Sequence, residues 1–153
     1  RDLRSGARWY YHCHPPGRGV PRGEHGHFHL FAEERRRGST VALRHLLAVG
    51  LRPNGLPCRL FTVNGWVTGD APRSPRWTLA QLARLDMDTG HPRIDAFLAD
   101  LCCLYRPVLP KLLDAGELRL QAWAGGRVRA CNDRRLEVLA SVGIDLDAPP
   151  RLT

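Results

Sequence analysis

Histidine is the side chain best suited to carrying a proton or a metal ion near neutral pH, and this chain concentrates it. Five of its seven histidines fall within Trp9–Phe31, at His12, His14, His25, His27 and His29. The spacing inside each group is two, and ten residues rich in Pro, Gly and Arg join the groups. Alternate residues of an extended strand share a face. The spacing therefore predicts that His12 and His14 project together and that His25, His27 and His29 do the same. If Ala7–His14 and His25–Ala32 pair as antiparallel neighbours, five imidazoles line one surface.

Neutral imidazole is a common metal ligand, and two histidines at i and i+2 on a strand can grip one ion. Three or four nitrogens suit zinc, iron or copper better than magnesium or calcium, which prefer oxygen. The expected core ligands are His27 and His29, joined by His12 or His14. His25 stands in the same row, and His45 joins if its strand lies beside the second one. Metal-bound histidines donate their other N–H to a carboxylate or carbonyl, a role for which Glu24, Asn64 and Asp70 are candidates. An ion with an open position would activate water or dioxygen for hydrolytic or oxidative chemistry. The plainer reading is a half-exposed strand face whose rings bond to solvent or backbone.

A second functional class competes with the metal site. Residues 1–37 hold eight Arg against four acids, and such a basic face attracts phosphates or acidic partners. That describes a metal-free module for an anionic ligand or nucleic acid. No nucleic-acid motif accompanies the charge, so a solvated basic face ranks ahead of a nucleic-acid site, and a small molecule stays open as partner. Nucleophilic catalysis finds no support: there is no GxSxG elbow and no phosphate-binding glycine loop. Cys13 lies between His12 and His14 but points to the opposite face.

The 153 residues, 43% apolar and 25% charged, fit one soluble domain, taken as residues 7–147 with terminal segments 1–6 and 148–153. Of the 23 basic residues only Lys111 is lysine, and the net charge is +8. No apolar run approaches the ~18 residues of a membrane span, so no membrane partner is expected. Five cysteines, without CxxC spacing, do not form a disulfide framework or zinc ribbon. They place the chain in a reducing cytoplasm.

The elements that must position the histidines follow from patterning. Thr40–Leu51, apolar on both faces, predicts a central strand. Asn54-Gly55 signals a hairpin, and Cys58–Thr68 predicts a fourth strand, with Gly65 marking a bulge or close backbone approach. Ala71–Arg76 is a linker. Thr78 with Gln81 matches a capping box, and Pro92 opens a helix whose Phe97, Leu98, Leu101 and Leu104 share a face. Pro107 and Pro110 interrupt it, Leu112–Trp123 predicts another helix, and Asp133–Ser141 a last one. Strands first and helices second make an α+β domain: an antiparallel meander with helices on the face bearing Phe28 and Leu30.

Three stretches together carry a resemblance: YHCHPPG (Tyr11–Gly17), EHGHFHLF (Glu24–Phe31) and RLFTVNGWVTGD (Arg59–Asp70). They resemble a bacterial family of uncharacterised proteins with Y-x-H, E-H-G-H-F-H-L-F and N-x-W-V-T-G-E/D motifs. The resemblance covers most of the chain, including DRRLEVLASVGIDL near its end. It implies a shared site but supplies no reaction, and Asp70 stands here where the family pattern leads one to expect Glu.

Overall fold

Aliphatic, aromatic and β-branched residues at alternate positions build a sheet whose two faces differ in kind. In the computed structural model, which describes residues 6–13, 23–35, 41–85, 87–148 and 150, strands β1 (Ala7–Cys13), β2 (Gly26–Arg35), β3 (Val41–Leu51) and β4 (Pro57–Val63) follow one another as a meander. A fifth strand, β5 (Val138–Gly143), joins the outer edge of β4, so the order is β1-β2-β3-β4-β5 with every neighbour antiparallel. Between β4 and β5 run α1 (Gly65–Thr68), α2 (Pro75–Leu82), α3 (Pro92–Leu104), α4 (Leu109–Ala122) and α5 (Gly126–Ala130). The molecule is α+β, as the patterning predicts.

The helices cover the face that carries Phe28, Leu30, Leu47, Val49 and Leu60. These side chains form one core with Leu98, Leu101, Leu112 and Leu113. Trp9 leans edge-on against Phe28, with ring centroids 5.3 Å apart. Its indole Nε1 donates to Asp95 Oδ1 at 2.9 Å, which ties β1 to the first turn of α3. The opposite face has a smaller apolar floor of Ala48, Phe61 and Val63, flanked by Val67 and Val138.

Several sequence expectations are corrected here. The segment expected as a final helix supplies β5, because the free edge of β4 leaves backbone groups to be paired. Asn64 holds the approach to that strand, its amide nitrogen donating to Ala130 O and Leu136 O. The fourth strand stops at Val63 rather than Thr68. There Asn64 caps α1 through its side-chain oxygen, which accepts from Gly65 N at 2.8 Å. Gly65 marks a close approach, since a Cβ there would run into the Asp70 carbonyl oxygen. The N-cap of α2 is Ser74, not Thr78, and Pro75 occupies the first turn. Thr78 is buried inside the helix. Strand β2 continues through Glu33 and Glu34 to Arg35. On α3 the buried stripe runs through Leu98, Leu101, Cys102 and Tyr105, while Leu104, expected inside, is 43% exposed. No helix among the described residues is long and apolar enough to cross a membrane.

Candidate functional site

Register decides which histidines meet. Across β1 and β2, His12 stands opposite His27 and Tyr10 opposite His29. His27 and His29 rings approach edge to face with centroids 4.7 Å apart, and His12 lies 5.8 Å from His27. His12 is exposed, whereas His27 and His29 are buried. His14 lies outside the described residues. His25 departs from the row: it is exposed, and its Nδ1 pairs with the Tyr11 hydroxyl at 2.8 Å. His91 is a loop residue preceding α3, its ring tilted against Trp9.

His45 reaches this face only because of a bulge. Gly26 to Leu30 pair one for one with Leu51 to Leu47, but Phe31 then meets His45, so Leu46 is the extra residue. Without that insertion His45 would stand opposite Ala32, on the helix-covered side. Bulges re-aim side chains in this way. The result is a ring-to-ring hydrogen bond, His29 Nδ1 to His45 Nε2 at 3.0 Å. Asp70 secures the bulge by accepting from His45 N on Oδ2 at 3.0 Å, while its Oδ1 accepts from the Thr68 hydroxyl at 2.5 Å. Asp70 thus bonds the backbone of His45 rather than an imidazole. Asn64, the other amide or acid singled out in that stretch, directs its hydrogen bonds to backbone groups. Burial first, and then the neighbouring His29 and His27, push His45 well below the ordinary histidine pKa.

Glu24 lies behind His27. Its Oε1 is 3.1 Å from His27 Nδ1, and the carboxylate also receives Arg59 Nε at 2.5 Å and Arg59 Nη2 at 3.1 Å. The Glu24 side chain is 1% exposed. Burial alone would raise its pKa, but hydrogen bonds from His27 and Arg59 and the guanidinium charge hold it below the ordinary range. Room for this carboxylate comes from Gly50, which pairs with His27 on one side and Arg59 on the other. A Cβ on Gly50 would stand 2.6 Å from Glu24 Oε2. Arg59 and Gly50 escape the sequence reading. A glycine inside a strand that is otherwise apolar was the available signal.

Glu24, His27, His29 and His12 line a concavity of about 350 Å³ whose wall also includes Tyr10, Phe31 and Phe61. Arg59 also lines it, with its guanidinium stacked 3.8 Å above the Phe61 ring. The size is at the small end of ligand pockets, which run from about 300 to 1,000 Å³. Among the described residues no three His, Cys, Asp or Glu side chains are grouped to hold one metal ion. Of the basic N-terminal residues, Arg8 pairs with Glu33. Arg1, Arg4, Arg18, Arg22, Arg36 and Arg37 lie outside the described residues.

The fold and site together define a small α+β protein with a five-stranded antiparallel sheet, helices on one face and a histidine-lined cavity on the other. The chain belongs to the family described as domain of unknown function DUF6969, which it matches over residues 1–144. No curated protein and no solved structure matches it.

Proposed function

We propose that the cavity is a small-molecule site in which the His27 imidazole moves a proton. The observation that carries this reading is the buried chain Arg59–Glu24–His27. A carboxylate on Nδ1 holds the neutral ring in the tautomer whose lone pair is on Nε2. It also stabilises the imidazolium that forms when Nε2 takes a proton, the logic of a carboxylate-backed catalytic histidine. His29 stands edge-on to His27 but is backed by the imidazole of His45 rather than a carboxylate. Two adjacent imidazoles in unlike surroundings are the raw material for dividing acid and base roles. General acid–base assistance of this kind contributes roughly 10²–10⁴-fold to a rate.

A second reading has its own support, since metal-binding histidines are also backed by carboxylates. There His27 and His29 would hold zinc, iron or copper, with a third ligand from a rotated His12 or from His14. The cysteines, all present as thiols, fit a reducing compartment such as the cytoplasm.

Tag-free protein tests both readings. Metal content is measured before and after reconstitution with zinc, iron and copper, and long-range ¹H–¹⁵N spectra report the imidazole tautomers. The expected result is no stoichiometric metal and a neutral His27 ring with its proton on Nδ1. Stoichiometric metal that disappears in the His27→Ala/His29→Ala double variant would transfer the site to the second reading. A proton on Nε2 of His27 would sink both, since neither a base nor a ligand would then face the cavity with that nitrogen.

A further inference from the structure

The donor capacity of Arg59 exceeds what Glu24 uses. A guanidinium carries five N–H donors in a rigid fork. Glu24 occupies the edge formed by Nε and Nη2. Among the described residues no carbonyl, hydroxyl or carboxylate accepts from Nη1, although the Arg59 side chain is only 14% exposed. The same side chain lines the cavity. Stacking on Phe61 fixes the plane of the fork, so its remaining N–H groups cannot swing out to bulk water as those of an unstacked arginine do. A planar cation held in this way recognises a planar anion.

We infer that the cavity takes a small planar carboxylate, its acid group on the outer edge of Arg59 and its apolar body among Tyr10, Phe31 and Phe61. The inference rests on the proposed function and names the substrate class of that site. Glu24 already balances the charge of Arg59, so recognition comes from directional donors rather than from net positive potential. Glu137 on the rim sets a limit on how acidic the ligand is: one carboxylate suits the site, and a second one placed toward Glu137 is repelled.

Benzoate and its neutral match benzamide serve as probes, titrated into the unaltered protein by calorimetry and followed by ¹⁵N spectra of the arginine side chains. Benzoate is expected to bind at least tenfold more tightly than benzamide and to shift the Arg59 Nη resonances. Arg59→Lys keeps a positive charge beside Glu24 but removes the fork, and should erase the preference. Equal binding of the two probes, no binding of either, or benzoate binding that leaves the Arg59 signals in place overturns the inference. So does a preference that survives in folded Arg59→Lys. Should that variant not fold, the probe comparison and the arginine signals in the unaltered chain still decide. The His27 tautomer separates this inference from the proposed function. Benzoate on Arg59 with the His27 proton on Nε2 would refute the proton-transfer reading alone. A correct tautomer with no acid preference would refute the carboxylate alone.

Discussion

A carboxylate with 1% of its side chain exposed is costly to keep ionised unless its partners are well placed. For Glu24 those partners are Arg59 and His27, and removing the charge exposes the dependence. Glu24→Gln should leave the Arg59 guanidinium without its counter-charge and destabilise the fold by roughly 3 kcal/mol, the scale for breaking a buried pair. Urea unfolding measures this, and a loss below about 0.5 kcal/mol would mean that the pair is effectively solvated. The same variant should release the His27 tautomer, visible in its ring ¹⁵N shifts. At this scale the sequence was half legible. The alternation of His27 and His29 and the neighbourhood of Glu24 could be read from spacing. Arg59 lies 35 residues from Glu24, and no local pattern reports a contact of that range.

The element that matters most to the site is the bulge at Leu46. It turns His45 from the helix-covered face onto the histidine face, and Asp70 accepts the amide of His45 at that point. Asp70→Ala should leave this N–H without its partner at a cost of roughly 1–3 kcal/mol. It should also loosen the His29–His45 hydrogen bond, seen as faster solvent exchange of the shared ring proton. Retention of slow exchange in the variant would show that the bulge is held by strand pairing alone. The sequence motif NGWVTGD attracts notice as a possible source of pocket groups. Its role in the structure is architectural: Asn64 caps α1 and joins it to the approach to β5, and Asp70 pins the bulge.

For the whole molecule, stability resides in the helix-covered core. Leu101 is 5% exposed and Leu104 43%, though both stand on α3 within one turn. Leu101→Ala should cost roughly 2–5 kcal/mol, and Leu104→Ala should stay within about 0.5 kcal/mol, as for surface positions. Equal losses in chemical denaturation would contradict the packing of α3. Acid sensitivity should reveal the histidine face. His45 has a folded pKa below its unfolded value near ~6.5, so the unfolded chain binds the proton first. The stability this neutral ring carries is complete above ~6.5 and declines as pH falls toward the lower folded pKa. Glu24, also lowered on folding, adds a second decline below its ordinary carboxylate range. His45→Gln should remove the first decline and keep the second. An unchanged profile between about pH 6.5 and 5 would show that His45 does not titrate out of a buried neutral state.

By itself, the sequence determined the class of fold, the first hairpin with His27 and His29 on one face, the central strand β3 and the helical stripe on α3. Each is a local property, set by a period of two or of 3.6 and by the punctuation of Pro, Gly and Asn. Only the tertiary structure decided the rest. Residues 138–143 became a strand because β4 had an open edge to fill, overriding a helix-compatible local sequence. His45 joined the site through one extra residue in β3, which no periodicity announces. Glu24 became a buried anchor because a glycine on β3 and an arginine on β4 met it in register. These outcomes depend on which strands lie side by side and on the space between them, and those are properties of the assembled sheet rather than of any single stretch of chain.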